Sequence, residues 1–187
     1  MVFEDEEFNN KNYTVDFLPA NEFDNCTFTQ CDFSNVDLSK IVFSECMFQD
    51  CNFSNVKTNH TAFKDVRFTR CKMLGVHFDN CHEFLLELNF ENCQLDHSTF
   101  YKLKLKKIIF VTCSLQDVDF SEADLSQACF LECNLSGAIF DRTILEKADF
   151  RTASNYTLDP ETNRIKKAKF SSTGLAGLLQ KYEIEID

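Results

Sequence analysis

Residues 110–150 read FVTCSLQDVDFSEADLSQACFLECNLSGAIFDRTILEKADF, and this stretch decides the fold. A large apolar residue returns every fifth position: Phe110, Leu115, Phe120, Leu125, Phe130, Leu135, Phe140, Leu145 and Phe150. Two residues ahead of each lies a smaller one, as in Cys113, Val118, Ala123, Ala128, Cys133, Ala138, Thr143 and Ala148. The three places between are mostly Asp, Glu, Ser, Asn, Gln and Lys. The same phase runs back to Phe90 through Leu105, Phe100 and Leu95. After a slip of two, it runs from Phe78 to Phe3 at every fifth residue, with Thr58 the one member that is not large and apolar.

A period of five is neither the 3.6 of a helix nor the plain alternation of a strand. Residues two apart point to one side of an extended backbone. Each pentad therefore offers one small and one large inward residue on a short extended segment, followed by a corner. One such unit cannot bury its apolar side, whereas stacked units can.

Units such as CDFSN, CNFSN, VDFSE, ADLSQ and CNLSG resemble those of the pentapeptide-repeat family. The resemblance spans roughly residues 3–150, with an echo at Ala168 and Phe170. It implies an all-β fold, a right-handed quadrilateral β-helix with four pentads per coil and the Phe or Leu inside. It also implies cytoplasmic binding functions and no shared catalytic activity.

Four pentads per coil place residues 20 apart one above another. Phe90, Phe110, Phe130 and Phe150 then form one column, Phe100, Phe120 and Phe140 the opposite one, and leucines fill the other two walls. Every cysteine but Cys129 falls in the small inward column, where Cys serves as a small hydrophobe. Cys31, Cys51 and Cys71 are expected to stack on one wall and Cys93, Cys113 and Cys133 on another. Stacked neighbours point the same way, which suits a disulfide poorly.

The slip falls in DNCHEFLLELNF, an irregularity at 79–89. It reads as a protruding loop over about 79–87, or as two six-residue units, Phe78 to Phe84 to Phe90. The second keeps Phe84 inside and the phenylalanine wall continuous from Phe8 to Phe150, and is preferred. The solenoid domain is thus 1–150. The segment 151–187 adds a loop with a turn at Asp159-Pro160, a last wall over IKKAKF, and a short amphipathic C-terminal helix. Leu175, Leu178, Leu179, Tyr182, Ile184 and Ile186 are the candidates for capping the open core or pairing two chains; the tail resembles the segment by which Qnr-type members dimerise.

The chain of 187 residues has 21 Phe, no Trp and a formal charge of −11. That charge argues against direct nucleic-acid binding, which needs a basic surface. The acidic start MVFEDEEFNN carries no apolar run of a secretory signal, and no stretch is long and apolar enough for a membrane helix, so a cytoplasmic protein is expected. No Gly-rich phosphate loop, HExxH, GxSxG or CxxC occurs; neither a cofactor nor a metal site is expected, and the filled core leaves no substrate pocket.

Charge runs in bands. Lys11 and Lys40 are the only basic residues before position 50, residues 79–100 have none, and 111–150 have Arg142 and Lys147. Basic bands lie between, at Lys57–Lys72 and Lys102–Lys107. Candidate partner-binding residues are His82, Glu83, Glu87 and Glu91, at the one irregularity of the shaft. Two readings follow. One is a non-enzymatic scaffold or regulatory adaptor with a protein partner. The other, implied by resemblance to the Qnr and MfpA groups, is a DNA mimic that binds gyrase or topoisomerase IV and changes quinolone sensitivity.

Overall fold

A computed structural model describes residues 2–84 and 86–185. The chain winds into a four-walled β-solenoid, almost all β, with one short C-terminal helix. Wall one is a parallel sheet of β1 (Val2–Glu4), β3 (Glu22–Asp24), β5 (Val42–Ser44) and β7 (Ala62–Lys64). Wall two is a longer parallel sheet. It starts with β2 (Glu7–Asn9), β4 (Thr27–Thr29), β6 (Met47–Gln49) and β8 (Val66–Thr69). It continues with β9 (Leu88–Glu91), β10 (Ile109–Val111) and β11 (Cys129–Leu131). Walls three and four are held by isolated bridges such as Asp32↔Asn52 and Thr99↔Asp119. Each coil lies 20 residues from the last, as in Phe8↔Phe28 and Phe110↔Phe130.

The aromatic columns form as the period requires. On wall two the rings of Phe8, Phe28, Phe48, Phe68, Phe90, Phe110, Phe130, Phe150 and Phe170 stack without a break. Phe68 and Phe90 are 5.4 Å apart at 13°, across the irregularity itself. Rings of the two opposed columns meet edge to face across the interior, Phe90 and Phe100 at 6.1 Å and 78°. Each such pair adds about 0.5–1.5 kcal/mol beyond area burial.

The small inward residues share one hydrogen bond. Cys31 Sγ donates to Phe8 O at 3.3 Å, Cys51 Sγ to Phe28 O at 3.4 Å and Cys113 Sγ to Phe90 O at 3.6 Å. Thr61 and Thr143 donate in the same way, to Leu38 O at 2.8 Å and Phe120 O at 2.9 Å. Cysteine, threonine and serine are thus alternative small donors to the coil below. Burial pushes the Cys46 thiol up to about 12 and that of Cys81 likewise to about 12.

The irregularity differs from the preferred reading. Phe84 is 71% exposed, so the two-unit reading with Phe84 inside does not hold. Cys81 keeps its inward place, His82 N–H still donates to Thr61 O at 2.9 Å, and the chain then leaves the wall. Glu87 N–H returns to Phe63 O at 3.1 Å, and Leu86 packs against the core. Both extra residues are absorbed there, because Val66 pairs with Leu88, a register of 88 − 66 = 22. The same offset holds at Lys72↔Gln94 and His77↔Thr99. Wall identity is therefore unchanged beyond the loop. Cys31, Cys51, Cys71, Cys93, Cys113 and Cys133 form one column on wall three, not two columns on different walls: Cys71 Sγ donates to Phe48 O at 3.4 Å and Cys93 Sγ, one coil on, to Phe68 O at 3.3 Å.

A second departure lies in the first coil, where the corners decide it. The residue two after most inward Phe or Leu residues takes a left-handed backbone, as at Asn10 (φ 53°), Asn35 (φ 59°), Lys107 (φ 66°) and Gly137 (φ 70°). After Tyr13 and Leu18 that place is held by Val15 and Ala20, and neither is left-handed. Neither has the short polar side chain or the missing Cβ that eases the left-handed region. The chain instead makes a tight turn, with Asp16 N–H on Asn12 O at 3.0 Å and Thr14 Oγ1 on Asn12 Oδ1 at 2.6 Å. Phe17 is left 96% exposed.

At the other end, the segment after Phe150 reads as a loop yet contributes to the core. Tyr156 and Leu158 are buried, and Tyr156 packs on Phe150 and Phe170. The terminal helix, α1 (Ala176–Leu179) with a 3₁₀ turn at Gln180–Tyr182, lies against that segment. Leu158 N–H donates to Gly177 O at 3.1 Å. A Cβ on Gly177 would collide with the Tyr156 carbonyl, which is why glycine stands there.

Candidate functional site

With the interior filled by rings and leucines, the chemistry of this molecule is on its surface. Among the described residues no group of three His, Cys, Asp or Glu side chains is placed to hold a metal ion. No helix among them is long and apolar enough to cross a membrane.

The loop between Cys81 and Leu88 is, among the described residues, the one projection from the regular shaft beyond the first coil. It forms because twelve residues, not ten, separate Phe78 from Phe90 (90 − 78 = 12). A 3₁₀ turn at Phe78–Asn80 begins the exit, and His82 shapes the tip by accepting the Phe84 N–H on Nδ1 at 3.2 Å. Glu83, Phe84 and Glu87 are exposed around that tip. Glu91 stands apart, at the end of β9 on wall two, where its carbonyl accepts the Arg70 N–H at 2.9 Å. Of the four candidates, His82, Glu83 and Glu87 therefore share the loop, and Glu91 lies round the corner. The residue missing from that set is Phe84. An apolar side chain in the stretch where the period fails was the available signal.

Ion pairs show which charge is free. Basic residues of the shaft answer carboxylates one coil away: Arg70 with Asp50 at 2.7 Å, Arg142 with Glu122 at 3.0 Å, Lys106 with Asp124 at 3.4 Å and Arg164 with Glu146 at 2.6 Å. The Arg70 guanidinium lowers the Asp50 pKa, and Arg142 does the same to Glu122. Among the described residues no carboxylate before Asp50 has such a partner. The acidic field is thus strongest at the N-terminal end and weakest where the basic bands cross the rod.

Wall two carries an apolar stripe that the sequence reading passed over. Ile109 is 46% and Leu131 39% exposed, with Val111 and Cys129 half-buried between them. The signal was apolar residues both one before and one after the inward Phe, places that are mostly polar elsewhere.

In the tail, Leu178 packs against the core, whereas Leu175, Tyr182 and Ile184 are exposed and Leu179 is half-buried. Ile186 lies outside the described residues. Lys181 Nζ bridges Asp159 and Glu161, each at 2.7 Å, and Tyr182 Oη donates to Glu161 at 3.0 Å. The Lys181 ammonium lowers both carboxyl pKa values, and they raise its own.

A four-walled parallel solenoid with a core filled by one large residue per pentad defines a pentapeptide-type repeat protein. The pentapeptide repeat region profile matches residues 21–83 and 85–155, and the chain belongs to the pentapeptide-repeat family. Among solved structures it is similar to full-length QnrB1, a plasmid-mediated fluoroquinolone resistance protein. The TM-score is 0.60 at 18% identity, over 98% of this chain and 100% of that one. It is also similar to HetL of the cyanobacterium Nostoc sp. strain PCC 7120, a pentapeptide repeat protein involved in heterocyst differentiation regulation. There the TM-score is 0.50 at 13% identity, over 93% and 88% of the two chains. No curated protein sequence matches the chain.

Proposed function

We propose that the protein is a non-enzymatic scaffold or regulatory adaptor that holds a protein partner through the loop at 82–87. The observation that carries this reading is Phe84, 71% exposed on a loop flanked by Glu83 and Glu87. An aromatic centre with a polar rim is common interface anatomy, and an acidic rim selects a basic partner surface. The unpaired cysteines fit a reducing, cytoplasmic setting. The test is affinity capture with wild type beside Phe84→Asp and Glu83→Lys/Glu87→Lys. A partner lost with both variants and retained by a Lys147→Glu control supports the reading; a partner retained by both overturns it.

A second reading has its own support in the likeness to QnrB1 over the whole chain and in the charge of −11. In it, the rod imitates duplex DNA for gyrase or topoisomerase IV and alters quinolone sensitivity. The N-terminal third and the loop would present the acidic face, while the basic bands would not. Supercoiling assays with and without a fluoroquinolone decide it: inhibition or drug protection that fades as salt rises supports it, and no effect at micromolar protein counts against it. Pairing of two chains through Leu175, Leu179, Tyr182 and Ile184 is a further part of that reading, checked by sedimentation of a Leu179→Asp variant.

A further inference from the structure

The ladder between the first two coils is interrupted on wall four. Tyr13 N–H donates to Asp32 O at 2.9 Å, and the ladder resumes only where Val42 N–H donates to Asn21 O at 2.9 Å. Between these points the second coil keeps an unpaired edge. Among the described residues, Asp37 N–H has no main-chain acceptor, and the carbonyls of Ser34, Asp37 and Ser39 receive no main-chain donor. On the opposite edge of this same wall segment the ladder to the third coil is complete: Lys57 N–H donates to Val36 O at 3.0 Å, Leu38 N–H to Lys57 O at 2.9 Å, Asn35 N–H to Ser54 O at 2.9 Å and Lys40 N–H to Asn59 O at 3.0 Å.

A groove of about 700 Å³ opens over the free edge. Tyr13, Val36 and Ile41 supply apolar surface, Asp16, Asp32 and Asp37 supply charge, and no Lys or Arg among the described residues lines it. Asp32 and Asp37 each spend one carboxylate oxygen on the Ser34 and Ser39 N–H groups, at 2.9 and 3.0 Å. Neither has a cationic partner in salt-bridge contact among the described residues.

We propose that this groove is a strand-addition site for an extended, basic segment of a partner protein. An open ladder edge is a template for another chain, and main-chain bonds to it supply affinity while alternate side chains supply specificity. In an added strand one set of side chains faces the apolar surface and the other faces the carboxylates, so alternating apolar and Lys or Arg residues satisfy both. A second copy of this chain offers no such segment among its described residues, because its Lys102–Lys107 run is wound into the shaft. The site is separate from the loop at 82–87, and each stands or falls alone.

The test uses the full, isotope-labelled chain and a short acetylated, amidated peptide of alternating Lys and Val. Saturable shifts centred on residues 32–41 and the facing residues 13–21, with exchange of the Asp37 amide slowed about tenfold or more, are expected. The triple variant Asp16→Asn/Asp32→Asn/Asp37→Asn, whose side chains still accept the Ser34 and Ser39 N–H groups, is expected to weaken binding about tenfold. Four outcomes overturn the proposal: no shift at millimolar peptide; shifts centred elsewhere; equal binding by a Lys-Pro peptide, which lacks N–H groups for pairing; and shifts that appear with protein concentration alone, which would mean that a second copy fills the groove.

Discussion

Corners set the local limits of this fold. A left-handed residue costs an L-amino acid about 1–2 kcal/mol unless it is Gly, Asn or Asp, yet Lys40, Lys102, Lys107 and Lys147 all occupy such places. The ladder bonds on either side overdetermine them. Lys107→Asn is expected to raise stability by about 0.5–1 kcal/mol, read from urea denaturation. Gly137→Ala is expected to lower it by at least as much, because its φ is 70° and a Cβ would strike the Asp117 carboxylate. The thiols offer a second check at this scale. Cys129 is the one cysteine not buried. A thiol reagent should modify one group in the native protein, slowly because burial also raises the pKa of Cys129, and the other nine only on unfolding.

At the scale of elements, the tail is the least secured piece. Its helix has no buried residue of its own, and it holds through Leu178, the Leu158–Gly177 bond and the Lys181 pairs. Asp159 and Glu161 have lowered pKa values in the folded chain. Their contribution to docking is therefore complete above the ordinary carboxylate range near ~4 and is lost as pH falls through the lowered values. Exchange of the Leu158 amide should accelerate across that acid window beyond the intrinsic rate, and a Lys181→Met variant should remove the pH step. Gly177→Ala should expose Tyr156 at any pH, seen as a change in tyrosine fluorescence. The loop at 82–87 behaves oppositely: Phe84→Ala removes an exposed ring and should leave the melting temperature unchanged.

The whole molecule is a one-dimensional stack, so stability is a sum of coils and of the interfaces between them. Phe48, fully buried between Phe28 and Phe68, lies mid-stack, and Phe48→Ala is expected to cost about 3–5 kcal/mol. The first coil has an interrupted ladder and should open first, so amides before residue 22 should exchange ahead of those on β6 and β10. Charge follows the same axis. The shaft neutralises itself through pairs one coil apart, each worth at most about 1 kcal/mol, and the N-terminal end keeps its acids free. Recognition driven by that end should weaken steeply with salt, because exposed charge is screened over about 10 Å at 0.1 M.

The five-residue period carried most of the architecture, since it names the inward residues directly. Stacking converts a 20-residue repeat into four columns, and the Phe column of wall two runs through as the period requires. The tail's role in the core was not legible, because Tyr156 and Leu158 lie outside the phase, and burial there comes from folding back on Phe150 rather than from a repeat. The break in the first coil was not legible, because Leu18 keeps the phase and the left-handed corners that Val15 and Ala20 do not supply are a feature of the backbone. What the sequence by itself determined was therefore the solenoid, its filled core and its acidic balance, because those depend on residue type and spacing alone. Only the tertiary structure decided where the two extra residues before Phe90 go. Several paths through 82–87 satisfy the spacing equally, and the pairing of Val66 with Leu88 selects the one that turns Phe84 outward and keeps the six cysteines in a single column.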